Sequence, residues 1–381
     1  MRFLLVVPPL TGHVTPLRAT AAELTARGHR VAWCGPEPAT SLLAGSGAVW
    51  PAGASDPFSV ELRPAGLRGF AALKYLWENY LIPLADEMVP GVLAAIDRFD
   101  PDVVVADQQA LAGALAASVS GVPWATSAST PAGLAEPAAG MPKVGAWIRG
   151  LQDDLCARHG CSPRELRFSP DLVVAFTVPE LAGSQAKPCH YVGAARTWSS
   201  GIDFPWAELD DRPLVVVTLG TSNAPAGGRF LAESRRALSA MDGVRGVLVD
   251  PTGELVSGDV LVRPVVPLLD LLKLAAVTVC HGGHNTVCES LGAGVPLVVA
   301  PIRDDQTVLA ERVVANGAGL RLRFDRATAP EVRAAVESVL TEPGYRAGAA
   351  ALQRSLNSAD GAATAANLLE QLAKGNPCNP T

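Results

Sequence analysis

The stretch from Ala276 to Gln306 constrains the fold of this chain more than any other. A short apolar strand, Ala276-Val277-Thr278-Val279, runs through Cys280 into His281-Gly282-Gly283, and a helical pattern follows from His284 to Gly292. A second apolar run, Pro296 to Ala300, ends at Pro301 and delivers Asp304, Asp305 and Gln306. Strand, tight turn, helix and strand make the repeating unit of a parallel sheet. The two glycines let the chain turn sharply and bring backbone close to a ligand. The helix start behind them offers unpaired N–H groups and a positive dipole end, which suit an anion. Asn285 and Thr286 add donors in the first turn. Glu289, one turn on, does not suit a phosphate but does suit a diol such as a ribose. Read in order, the segment offers sites for a phosphate, a ribose and a polyol, the parts of a nucleotide sugar.

Two plainer readings compete. Cys280, His281, His284 and Cys288 could form a zinc set, since His and Cys recur at helical spacing. Cys280 and His281 are adjacent and diverge from a strand, however, and the spacings of structural zinc sites are not met. A strand–turn–helix with no ligand is the other. It does not explain why polar residues crowd one strand end.

A chain of 381 residues exceeds what one core usually serves, so two domains are expected. The net charge is −6 and there is no basic run, which recommends neither nucleic acid nor an anionic membrane as a partner. Seven scattered cysteines, an odd number, point to a reducing compartment over a disulfide framework. Met1-Arg2 before Phe3-Leu4-Leu5-Val6-Val7 imitates a signal peptide. The apolar run stops at Pro8-Pro9, too early for an h-region, and reads better as a first strand. No segment reaches transmembrane length without Pro, Gly or charge. The expectation is a cytoplasmic protein, monomeric or homodimeric.

Strands and helices alternate along both halves. Phe3–Val7 leads to a helix expected from Thr15, with Thr15 as N-cap and Pro16 at the first helical position, to Arg27 before Gly28. His29–Cys34, Val103–Ala106, an Ala-rich helix to about Ser120 and Pro123–Thr126 follow. Residues 58–99 and 127–160 look irregular and carry Phe58, Phe70, Tyr75, Trp77, Tyr80, Met141 and Trp147, which read as local core or as an apolar ligand pocket. The Pro/Gly/acidic stretch Gly193–Pro213 reads as a linker. A second alternating series then begins at Leu214–Leu219, with a helix near Arg229–Met241 and strands at Val244–Val249 and Asp259–Val262. Neither half has a G-x-G-x-x-G fingerprint after its first strand, which speaks against a nicotinamide enzyme.

His13 lies in Gly12-His13-Val14-Thr15-Pro16, just past the first strand. Transfer of a sugar needs a base of near-neutral pKa to take the acceptor's proton, and histidine supplies one. Such a base wants a carboxylate on its other ring nitrogen. Asp107 is the candidate, because it follows Val103-Val104-Val105-Ala106 at the C-terminal end of a neighbouring strand. Asp102 precedes that strand, so Asp100-Pro101-Asp102 reads as a turn at the far edge and not as a metal motif.

The pattern H-G-G-x-N-T-x-x-E…P-x-x-x-D-Q resembles the donor motif of family-1 nucleotide-sugar glycosyltransferases, and Gly12-His13-x-x-Pro16 is similar to their N-terminal signature. The resemblance implies the GT-B fold, α/β, with two Rossmann-like doubly wound domains facing across a cleft. Residues 1–200 would bind acceptor, 213–359 would bind nucleotide sugar, and a terminal helix at 360–374 would cross back. It implies His13 as base with Asp107 as its partner. His281, Gly283, Asn285 and Thr286 would contact the diphosphate, together with Thr221 and Ser222 in a TLGTS loop. Glu289 would hold the ribose, and Asp305 and Gln306 the sugar. No metal and no cofactor are implied, the nucleoside diphosphate sugar being a co-substrate. One departure stands out: where the family often has W-x-P-Q to stack on the base, this chain has Val265-Val266-Pro267-Leu268. The backbone of Val266 then has to read the base, and uridine and thymidine both stay open. The expected reaction is inverting transfer from a UDP- or TDP-sugar to a small hydrophobic natural product. A GT-B-fold sugar-nucleotide epimerase and a silent nucleotide-sugar-binding homologue are the alternatives.

Overall fold

The computed structural model describes the chain apart from residues 46, 60–61, 63, 65–66, 68, 131–133, 135–140, 163, 184–188, 196–200, 221–223, 304, 359, 377 and 379–381, and the side chains of 224–226. The chain divides into two compact units, Met1–Thr197 with Ala359–Thr381, and Trp198–Ser358.

The first unit is built on β1 (Arg2–Val6), β2 (Arg30–Glu37), β3 (Ala48–Ala54), β4 (Val103–Asp107), β5 (Trp124–Ala128), β6 (Val173–Ala175) and β7 (His190–Tyr191). They pair in the order β3-β2-β1-β4-β5-β6-β7, all parallel. Leu4, Val6 and Val104 pack on one face of this sheet, while Phe3, Leu5, Val103 and Val105 pack on the other. Both faces are buried, which is why these strands read as continuous apolar runs and not as alternation. Helix Gly361–Ala373 joins the second of these clusters through Ala365, Ala366 and Leu369. Arg27 and His29 reach Glu370 on it at 3.1 and 2.9 Å.

The second unit repeats the plan with β8 (Leu214–Thr218), β9 (Arg245–Val249), β10 (Val260–Arg263), β11 (Ala275–Cys280), β12 (Leu297–Val299) and β13 (Gly319–Arg321). Their order is β10-β9-β8-β11-β12-β13, again all parallel. Each sheet therefore has one place where the strand order reverses direction, between β1 and β4 and between β8 and β11. Loops leaving the carboxyl ends of such strands diverge and open a crevice, the usual ligand position in an open α/β sheet.

Two expectations need correction. The first helix spans Thr11–Ala26, not Thr15–Arg27. The Val14 N–H bonds the Leu10 carbonyl at 3.2 Å, and the Thr15 hydroxyl donates back to the Thr11 carbonyl at 2.8 Å instead of capping. Pro16 is tolerated inside the helix because its ring already has helical φ and its missing N–H forfeits a single bond. Residues 69–99 are not irregular either, nor is the whole of 127–160, where Pro142–Arg158 is a helix. Helix Gly69–Tyr75 runs through a π-helical turn, Leu76–Leu81, into helix Ile82–Phe99. At Gly91 the long helix closes on β3, where a Cβ would come within 2.6 Å of the Ala52 Cα. Phe58 and Trp77 are core, whereas Phe70 and Met141 are exposed.

Candidate functional site

Chain direction assembles the first group of polar residues at the β1/β4 reversal. β1 ends at Val6, and His13 sits in the first turn of the following helix, 7% exposed. β4 is apolar up to its last residue, Asp107, whose carboxylate is buried. The His13 Nδ1 lies 2.8 Å from Asp107 Oδ1. The same oxygen accepts the Gln109 N–H at 2.9 Å, and Oδ2 accepts the Ser129 hydroxyl at 2.7 Å. Ser129 Oγ also stands 2.7 Å from His13 Nδ1. A carboxylate can only accept, so Nδ1 carries the imidazole proton and Nε2 bears the lone pair. That is the tautomer a general base requires.

Ser129, just past the end of β5 and fully buried, has no precedent in the sequence reading. Parallel pairing of β4 with β5, with Asp107 opposite Ser127, brings it there. Gln108 ties the same two strand ends together, donating to the Thr130 hydroxyl at 2.6 Å. Tyr80, on the π-helical turn, has a buried hydroxyl without a hydrogen-bond partner among the described residues. Burial, with a smaller push from the Asp107 charge, holds its phenol above the ordinary value. Asp100 and Asp102 lie at the opposite edge of the sheet. There the Arg2 guanidinium meets Asp100 at 2.6 Å, and the Arg2 N–H meets Asp102 at 2.6 Å.

The second group assembles at the β8/β11 reversal. β11 ends at Cys280; His281 follows, 7% exposed, then Gly282-Gly283 and helix His284–Gly292. Gly282 has φ +82°, a left-handed conformation only glycine holds at low cost. A Cβ there would also meet the Gln306 carbonyl at 3.1 Å, so this turn and the start of helix Gln306–Ala315 pack directly together. The His281 ring lies between two glycines. A Cβ at Gly220 would stand 2.9 Å from its Cε1, and one at Gly283 would collide with its Nε2. Gly283 is therefore bare to make room for the imidazole, a cause the sequence alone did not disclose. His281 Nδ1 is buried without a partner among the described residues. Burial, helped by the nearby Arg303 charge, lowers the His281 pKa to about 4, so the ring is neutral at physiological pH.

Thr286 is buried on the first turn of its helix, with Asn285 and Glu289 half-buried on the same helix. Among the described residues, no side chain caps the helix at Gly283. Gln306 is buried, and its Oε1 accepts the N–H groups of Ile302 and Arg303 at 2.9 and 3.0 Å. Its carbonyl thus shapes the loop, leaving the amide NH₂ as the end that can donate outward. Asp305 is the N-cap residue of the same helix. Val266 is buried after β10, and its carbonyl accepts the Leu268 N–H at 2.9 Å. Thr221 and Ser222 lie outside the described residues, as does Asp304. Among the described residues, no group of three His, Cys, Asp or Glu is placed to hold a metal ion. No helix among them is long and apolar enough to cross a membrane. All seven cysteines are free thiols.

Comparison with known proteins agrees with this architecture. Residues 250–372 match the family described as erythromycin biosynthesis protein CIII-like, C-terminal domain. The chain is 29% identical to 4'-demethylrebeccamycin synthase of Lentzea aerocolonigenes, over 97% of this chain and 99% of the relative. It is 27% identical to demethyllactenocin mycarosyltransferase of Streptomyces fradiae, over 96% of this chain and 85% of that one. Among solved structures, the glycosyltransferase VinC in complex with DTDP superposes with a TM-score of 0.79 at 20% identity, covering 99% of this chain and all of the other. Over nearly its whole length the chain is thus similar to actinomycete natural-product glycosyltransferases, and it has the GT-B fold of two parallel-sheet α/β units.

Proposed function

We propose that the protein transfers a sugar from a nucleoside diphosphate to a small hydrophobic natural product, with inversion and without a metal ion, in the cytoplasm. The observation that carries the reading is the His13–Asp107 pair, which leaves the imidazole Nε2 as a base. His13 takes the acceptor's proton as its oxygen attacks the anomeric carbon. Asp107 orients the ring and balances the imidazolium that forms. The diphosphate leaves in line from the opposite face of that carbon, which is what inverts it.

In the second unit the diphosphate is held by His281 and by the first-turn donors at Asn285 and Thr286, with Thr221 and Ser222, which follow β8 in the sequence. The neutral imidazole has one N–H to give, and the helix start behind Gly283 adds a positive dipole end. Preorganised donors of this kind are worth roughly 3 kcal/mol each against developing charge. Glu289 accepts from the ribose hydroxyls. Asp305 and the Gln306 NH₂ group take the sugar hydroxyls, accepting and donating respectively. Thymidine is favoured over uridine as the base, since a protein of the same fold was solved with DTDP. No cofactor takes part.

Incubation with TDP- and UDP-sugars and a panel of polycyclic and macrolide acceptors, read by mass spectrometry, tests the reading. Glycosylated product with inverted anomeric configuration is expected. Epimerised donor and no acceptor adduct would point to the epimerase instead, and donor binding with no turnover to the silent homologue.

A further inference from the structure

We propose that Ser129 is a positioning residue of the His13–Asp107 pair, acting as a second acceptor for the His13 Nδ1 proton while pinning the Asp107 carboxylate. The inference rests on the reading of His13 as base, and deepens it.

Three short distances close a ring: His13 Nδ1 to Asp107 Oδ1 at 2.8 Å, Asp107 Oδ2 to Ser129 Oγ at 2.7 Å, and Ser129 Oγ to His13 Nδ1 at 2.7 Å. A hydroxyl has one proton to give and lone pairs to receive with. If Ser129 gave its proton to Nδ1, that nitrogen would turn a lone pair on Asp107 Oδ1, and the serine oxygen would do the same to Oδ2. Only one assignment avoids both repulsions: Ser129 donates to Asp107, and the Nδ1–H is shared between Asp107 and Ser129. The ring therefore has a direction, and it ends with the lone pair on Nε2.

Ser129 is fully buried, so its hydroxyl cannot exchange this bond for one to bulk water. With Gln109 N–H on the other oxygen, it stops the carboxylate from rotating. If Asp107 is truncated, Ser129 still accepts from Nδ1–H and keeps the tautomer. Asp107 and Ser129 thus back each other up, and a merely structural serine would not.

Selective ¹⁵N labelling of histidine reports the His13 tautomer by NMR in the resting protein, without any turnover. Wild type, Ser129→Ala and Asp107→Ala should all keep the Nδ1–H form, and Asp107→Ala/Ser129→Ala should lose it. In glycosyl transfer, Ser129→Ala should lower kcat about tenfold, the low end for a hydrogen bond to a charged group, with the donor KM unchanged. The double variant should fall below the product of the single losses. Ser129→Cys, similar in size with a weaker donor, should lie between and serves if the alanine variant folds poorly. Loss of the Nδ1–H form in Asp107→Ala alone, or strictly multiplicative rate losses, would overturn the proposal. Should no acceptor be glycosylated by wild type, the transferase reading fails, and the tautomer measurement still decides the role of Ser129.

Discussion

The two sheets share an order but treat their histidines in opposite ways. In the first unit, a histidine in the first turn of the helix after β1 meets a carboxylate at the end of β4. In the second, a histidine just after β11 meets a glycine from the loop after β8. These are equivalent crossings, since β8 and β11 stand where β1 and β4 stand. A carboxylate fixes the proton and leaves one nitrogen basic. Burial beside a glycine leaves the other ring neutral, tightly enclosed and, among the described residues, with an unpartnered nitrogen. Burying a polar atom without a partner costs roughly 1–3 kcal/mol, a cost a bound anion can remove. The first histidine has its partner within its own unit; under the proposed function the second finds its partner in the bound diphosphate.

The strongest test removes the first histidine. His13→Ala should leave nucleoside diphosphate affinity nearly unchanged while turnover falls by roughly 10²–10⁴. Asp107→Asn should lose less, since it keeps shape and hydrogen bonding but not the charge that stabilises imidazolium. A phenolic acceptor, with a pKa near 10, needs the base less than an aliphatic alcohol and should be spared more. An alcohol glycosylated at the wild-type rate by His13→Ala would remove His13 from the mechanism.

Next come the two positions that hold the second histidine. His281→Ala should weaken diphosphate binding by about tenfold to a hundredfold, as expected for a lost buried hydrogen bond to a charged group. Gly283→Ala should do so too, because its Cβ pushes the ring out of place, with roughly 1–3 kcal/mol of stability lost to overpacking. Calorimetry that shows unchanged affinity in both variants would break the contrast between the two histidines.

A third test uses pH. Unfolded, the His281 imidazole takes a proton near pH 6.5, but in the folded chain only near 4. The unfolded chain therefore binds the extra proton between those values. Stability from this group is full above 6.5 and is lost as pH falls towards 4. At pH 5 the loss comes to about 2 kcal/mol. Denaturant melts of wild type and His281→Gln at pH 7.5 and 5.0 should show wild type losing about that much more. Equal losses would mean that the ring is not buried neutral.

These contrasts were legible in unequal measure. Val103-Val104-Val105 announces a buried parallel strand, so Asp107 could be placed at its end by counting. His13 could be placed past β1 in the same way. Its seat was misjudged because Pro16 looks like a helix start, while the first turn closes through the Leu10 carbonyl, which has no side-chain signature. Ser129 could not be read at all. It lies 22 residues from Asp107, and only the order of β4 and β5 makes them neighbours. Residues 69–99 hid their helices because the π-helical turn shifts the 3.6-residue period, and Pro90 then interrupts it. β3, with Pro51 and Gly53 inside it, lacks strand composition, and tertiary packing against Gly91 makes it a strand.

The smallest expected effect concerns metal. If the neutral His281, the helix start and the loop after β8 meet the leaving diphosphate's charge, activity should survive EDTA within about a factor of two, below the roughly 0.5 kcal/mol that a rate assay resolves. The rival is the D-x-D pair, Asp100 and Asp102. Both are engaged by Arg2 at the edge of the sheet opposite to His13, so Asp100→Ala should leave turnover alone. It should cost at most about 1 kcal/mol of stability, because the Arg2–Asp100 pair is exposed. Complete loss of activity in EDTA, restored by magnesium and abolished by Asp100→Ala, would show that a cation meets the charge of the leaving diphosphate.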